Sequence, residues 1–264
     1  MPNLIKQLLS HRQLLSFFGS NKTTEVQPKP VEVVKLPKKL ERVDAEEFKR
    51  RYEAGERDFS HCLLVNVDLR GINLVGVDFK YSNFQQVRNL RDGVNLSNAD
   101  LTGVNFQGVN LQGVDLSNTI LVEANLTGTQ LQGANLRNAN LSEARLERTV
   151  LSFTCSCGAN FSEANLESAN LYHAFLNGAN FYKASLNGAN FSHASLESVN
   201  LTDATLSGTN FSWASLRDAN LSQVDFKLTN LSWADLDNAA LANTFLPGKL
   251  VGTRLPRGAS FSSN

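Results

Sequence analysis

The sequence predicts an all-β solenoid, and three regularities predict it. Leu or Phe recurs at every fifth position from Phe59 to Phe84 and again from Leu96 to Leu246; of these 37 positions only Ser156 departs from the pattern. In the second array the residue two places earlier is always Ala, Val or Thr, as in Ala134-Asn135-Leu136 and Ala139-Asn140-Leu141. Two places after the Leu or Phe stand turn formers such as Gly103, Gly128, Gly178, Asn98 and Asn138. Gly and Asn tolerate the positive φ of tight turns.

A five-residue beat suits neither standard element. On an α-helix, residues five apart are about 140° apart, so the leucines would wind round every face. On a flat strand an odd spacing throws successive leucines to opposite faces. One packed interior therefore requires the chain to change direction within each pentad. The Ala, Val or Thr is then a second inward position, too confined for a large side chain. The Asn or Asp that usually precedes the Leu or Phe can bond nearby backbone.

Runs such as GANLRNANLSEARL and GANFYKASLNGANFSHASL resemble the pentapeptide-repeat proteins, whose consensus is A-(N/D)-L-x-x. The resemblance covers about 190 of the 264 residues. It implies a right-handed quadrilateral β-helix with four pentads per coil. The 37 pentads would make about nine coils, roughly 44 Å long at about 4.8 Å per layer. Leu136, Leu141, Phe161, Phe181, Phe191 and Phe211 are among the side chains that would fill its interior.

Flanking segments divide the remainder. Residues 3–18 read as a short amphipathic helix, with Leu4, Leu8, Leu15 and Phe18 at helical spacing. It could pack on the rod or fray, lie on a membrane surface, or hold a partner. Residues 19–42, with Pro28, Pro30 and Pro37 among lysines, read as a linker, so that 1–42 form a flexible N-terminal extension. Residues 43–58 hold a short capping α-helix, in which Asp44 and Glu47 are spaced as a capping box and Gly55 is a stop. Open coil ends expose backbone and core, and solenoids cover them. The repeat array runs over 59–246. A loop insertion is expected at 85–93, carrying Arg88 and Arg91, because the stretch from Phe84 to Leu96 is two positions longer than a pair of pentads. Residues 247–264, with Pro247-Gly248 and Pro256, are expected to form an irregular C-terminal cap or tail. In part of the family this end forms a homodimer.

Net charge is zero but uneven. Residues 59–246 carry 10 basic and 16 acidic residues, while residues 1–58 carry 12 and 9. A mildly acidic rod argues against nucleic acid, which selects a basic stripe. Cys62, Cys155 and Cys157 are odd in number, and a bridge between the last two would be strained. Both points favour a reducing, cytoplasmic setting, peripheral to a membrane if residues 3–18 bind one. No stretch is long enough to span a bilayer.

If a coil is four pentads, positions separated by four pentads stack in columns. Phe153, His173, His193, Trp213 and Trp233 form one, with Tyr172 beside it. It reads either as a stabilising ladder or as an exposed partner site. A metal on His173 and His193 would lack a third ligand. Glu123, Glu143, Glu163, Lys183 and Asp203 form another column, read as a solvated face. Ser156, between Cys155 and Cys157, reads as a local flaw in the coil.

No catalytic constellation and no phosphate-cradling motif is visible, which argues against an enzyme and against a cofactor. The reading is a scaffold or regulatory protein that binds an unidentified protein partner through a rod face. The residues offered for it are Trp213, Trp233, His173, His193, Tyr172, Arg88 and Arg91. Two alternatives stand beside it. Resemblance to the quinolone-resistance branch implies a DNA mimic that binds topoisomerase, and residues 3–18 suggest a membrane-associated adaptor. Proteins of this pattern abound in photosynthetic bacteria.

Overall fold

The structure, a computed structural model, describes residues 39–91, 93–247 and 250–257. The helix expected over 3–18 and nearly all of the linker expected over 19–42 lie outside the described residues, as does the end of the tail.

From Lys39 onward the chain winds as a β-solenoid. Parallel bridges join each level to the one four pentads later, from Asn95↔Asp115 through Asn140↔Asn160 to Asp225↔Phe245. Each pentad makes the same bonds. The Leu121 N–H donates to Asn140 O at 2.7 Å, and the Asn140 N–H returns to Thr119 O at 2.9 Å. Within the pentad the Ala124 N–H closes a β-turn on Leu121 O at 3.1 Å. Peptide groups that would otherwise be buried unpaired are satisfied by the coil above, the coil below and the turn.

The interior is what the beat predicts. Leu136, Leu141, Phe161, Phe181, Phe191 and Phe211 are fully buried, as are the small residues two places earlier. Phenylalanines stack between coils, with Phe161–Phe181 centroids 4.8 Å apart and Phe191–Phe211 5.0 Å apart. Where Thr takes the small position, its hydroxyl finds a carbonyl, as Thr129 does on Phe106 O at 2.8 Å. Among the described residues no buried side-chain polar atom lacks a partner.

Five expectations are corrected. First, the beat does not lapse between Phe84 and Leu96. Leu90 is 3% exposed and fills the missing inward position, so the chain takes two steps of six. The level that contains it is longer than the regular levels by two positions, as Asn73↔Asn95 and Asn83↔Asn105 show. Second, the first part of the expected loop at 85–93 is strand: β3 (Asn83–Arg88) pairs in parallel with β2 (Cys62–Asp68). Third, the linker does not reach residue 42, because β1 (Glu41–Asp44) pairs with β2. Fourth, the residues after Pro247 do not turn irregular at once. The Leu236 N–H donates to Arg254 O at 2.7 Å and the Arg254 N–H to Ala234 O at 2.9 Å, so residues 250–257 continue the winding. Ser156 is no flaw either. It points inward, wholly buried, with its hydroxyl 3.2 Å from Thr154 Oγ1.

The helix within 43–58 is shorter than that span: α1 covers Ala45–Glu53, with Asp44 accepting the Glu47 N–H at 3.1 Å. The reciprocal half of a capping box is absent, because Glu47 pairs with Arg50 instead. α1 lays Phe48 on the first level, 4.6 Å from Phe59. Arg51 ties it to Glu41 and Glu56, and this pairing holds the Glu56 carboxyl below the usual carboxylate range.

Phe48 is 1% exposed. Phe48→Ala should therefore destabilise this end by about 3–5 kcal/mol. Repeats contact only their neighbours, so amide exchange should accelerate in β1 and β2 and stay unchanged near Leu136. Uniform acceleration along the array would contradict this account.

Candidate partner-binding face

Nearly every described pentad takes a positive φ two places after its Leu or Phe, Gln86 and Leu228 being exceptions, and Gly or Asn is not always there. Glu123, Glu143 and Ser168 adopt φ of 58°, 60° and 58°. So do the aromatics of one column: Phe153 60°, His173 53°, His193 59°, Trp213 61° and Trp233 61°. A bulky residue at positive φ is strained by roughly 1–2 kcal/mol. The positions before and after these five in the column are the glycines expected there, Gly113, Gly133 and Gly252.

The five rings form one continuous stack. Centroid separations are 5.6 Å for Phe153–His173, 4.9 Å for His173–His193, 6.1 Å for His193–Trp213 and 5.1 Å for Trp213–Trp233. Interplanar angles are 13° or less. Tyr172 stands edge-on to Phe153, His173 and His193. Beyond Trp233 the stack ends on Gly252, where an added Cβ would lie 2.3 Å from Trp233 Cε3. The column is both a ladder and a surface: Phe153, Trp213 and Trp233 are 55%, 55% and 50% exposed.

The ladder edges a side of the solenoid without formal charge. The outward positions of seven successive levels, residues 109–114, 129–134, 149–154, 169–174, 189–194, 209–214 and 229–234, hold no Asp, Glu, Lys or Arg. Beside the rings run Ser192, Ser212 and Ser232. At the far edge Asn230, Asn210 and Asn190 each donate an amide N–H to the Asn one level earlier, at 3.1, 3.4 and 3.2 Å.

Of the other candidates, Arg91 borders the start of this side, beside Val109 and Asn110, and the rest fall elsewhere. Arg88 and Arg91 are exposed at the insertion, and Arg91 lines a shallow cleft of about 360 Å³ with Gln85, Leu90 and Gln107. Neither contacts the ladder. His173 and His193 face each other as stacked rings, and among the described residues no group of three or more His, Cys, Asp or Glu is placed to hold a metal ion. The column of Glu123, Glu143 and Glu163 starts with a second, shorter ladder that sequence reading missed. His61 stacks on Tyr81 at 5.1 Å, and Tyr81 covers Gly103. The enlarged level hides it from a count by fours of pentads.

A family model described as pentapeptide repeats matches residues 58–88, 92–118, 119–154, 159–197 and 194–232, with eight copies. The chain belongs to the pentapeptide-repeat family. Solved structures of pentapeptide-repeat proteins resemble it. HetL, involved in heterocyst differentiation regulation in the cyanobacterium Nostoc sp. strain PCC 7120, is 29% identical over 82% of this chain and 99% of its own, with a TM-score of 0.42. A trypsin-treated form of QnrB1, a plasmid-mediated fluoroquinolone resistance protein, is 17% identical over 68% of this chain and 86% of its own, with a TM-score of 0.50. At that identity the likeness concerns the fold. Comparison with curated proteins finds no match.

The three thiols of this pentapeptide-repeat protein are free but unequal. Burial pushes the Cys62 thiol up to about 11. Cys155 and Cys157 are half-buried, and the Arg137 guanidinium lies 3.8 Å from Cys155 Sγ. A thiol reagent at pH 8 should modify two cysteines in the native protein and the third only on unfolding. Three equal rates would refute the burial of Cys62.

Gly252 has φ of +63°. Gly252→Ala should strain the backbone, displace the Trp233 ring and shift tryptophan emission to the red. An unchanged spectrum would show that Trp233 does not rest on Gly252.

Proposed function

We propose that this protein is a non-catalytic scaffold or regulatory protein that binds a partner protein through the side edged by the aromatic ladder. The observation that carries the reading is the exposed ring stack at strained positions on a charge-free side. Interface cores are depleted of charged residues and enriched in aromatics. Trp and Tyr dominate measured hot spots. Within this reading the solenoid is right-handed and quadrilateral, with about nine coils, and α1 caps it.

The DNA-mimic alternative needs a long acidic surface. Here 10 basic residues accompany 16 acidic ones over 59–246. Several are locally neutralised, as Asp235 and Asp237 are by Arg217 and Arg254 at 2.7–3.4 Å. The membrane-adaptor alternative rests on residues 3–18. Among the described residues no helix is long and apolar enough to cross a membrane.

The test is retention of partner from native extract on the immobilised protein. Trp213→Ala with Trp233→Ala should reduce recovery at least about tenfold while leaving the circular dichroism unchanged. Recovery should differ little between low and high salt, because the face has no formal charge to screen. Equal recovery by the variant would exclude this side.

A further inference from the structure

We infer that the partner seated on the aromatic side is a second copy of this chain. The inference rests on the protein-binding reading above and names the occupant.

Charge selects the side. The other three outward strips each carry several ionised groups. One has Glu123, Glu143, Glu163 and Lys183, a second Arg145, Glu147 and Glu167, and the third Glu197, Arg217, Asp218 and Asp235. Pairing any of them with its own copy takes ionised groups out of water, which costs several kcal/mol for each ion left without a partner. The aromatic side has no formal charge over seven levels, so this strip meets its own copy without desolvating any ion.

Period selects the occupant. The ladder presents one ring per level, repeating at about 4.8 Å. A second copy has the same repeat and keeps every level in register, which an ordinary globular surface cannot do. Stacked aromatics and Asn ladders are the side-chain arrays that hold paired sheets together. Between Phe153 and Trp233 the facing ring surfaces cover one another, so the column offers mainly edges along its length. A cationic ligand, which needs a ring face, is poorly served.

Shape selects the geometry. The rings form a ridge along one edge, and Ser192, Ser212, Ser232 and the Asn ladder form a floor beside it. A two-fold axis parallel to the coil stack would invert neither copy, so it lays each ridge on the other copy's floor, level against equal level. From Gly113 to Trp233 the strip spans six level steps, about 29 Å. A patch of that length and one strip wide is small for a specific interface, so association calls for high protein concentration.

Light scattering of the full chain at about 100 µM should give twice the 29.0 kDa of one chain. Trp213→Glu with Trp233→Glu should weaken association at least about 30-fold, the ratio expected for a hot spot. A second measurement does not depend on that variant folding. In a Cys155→Ser, Cys157→Ser background, Ser232→Cys, midway across the strip, should link to its own copy through a bis-maleimide of about 10 Å, the spacing of facing sheets. Asn140→Cys, on another strip, should not.

A monomer at every concentration overturns the inference. So does a dimer indifferent to both tryptophans, which would place the contact elsewhere, for instance at the C-terminal end, and so does linkage through position 140 but not 232. A monomer whose partner retention still depends on Trp213 and Trp233 sinks the second copy and leaves the protein-binding reading standing. Loss of both dependences sinks both.

Discussion

The hydrogen bonds between successive coils are the constraint on which everything else depends. Leu121 N–H to Asn140 O and Asn140 N–H to Thr119 O recur, with shifted numbers, at nearly every pentad. They hold each level four pentads from the next. Once that register is set, any outward position becomes a column, and one substitution repeated at every fourth pentad becomes a continuous surface. Ladders of Asn, of Ser and of aromatic rings follow from register rather than from any long-range design of the chain.

The same register overrides local preference. A turn must close at each corner, and with few exceptions, Leu228 among them, its third residue takes positive φ whatever its identity. Gly128 and Asn138 suit that demand; Phe153, His193 and Trp213 do not, yet all adopt φ between 55° and 66°. Tertiary hydrogen bonding supplies what intrinsic propensity withholds. The turn positions are therefore free to vary, and the surface chemistry of the protein is written there.

How much of this was legible follows from the same physics. The core residues were, because a strict period of five admits only one inward set. The aromatic column was, because counting by fours of pentads aligns Phe153 with Trp233. Leu90 was not, since two steps of six break the count although the side chain still points inward. The His61–Tyr81 ladder was lost for the same reason. β1 was not, because Glu41 and Arg42 carry no apolar alternation; their place is set by pairing with Cys62 and Leu63. The continuation after Pro247 was masked by proline and glycine. Sequence reading took them as the end of the coil, although Arg254 rejoins it by hydrogen bonds to Ala234 and Leu236. The absence of charge on one side was present in the letters but invisible until the residues were sorted by strip.

Stability alone does not account for the ladder. A ring at positive φ costs roughly 1–2 kcal/mol relative to glycine. An aromatic pair returns about 0.5–1.5 kcal/mol beyond its buried area, and with Phe153, Trp213 and Trp233 half exposed that area is modest. Five strained residues stand against four stacked contacts and the three edge-on contacts of Tyr172, and the two sides come close to cancelling. Glycine occupies the same column at Gly113, Gly133 and Gly252 without disturbing the coil, so the fold does not demand rings. What the rings change is the surface, which becomes apolar along one edge of a side without formal charge. A feature that is near neutral for folding and large for the exterior is most simply explained by what that exterior contacts.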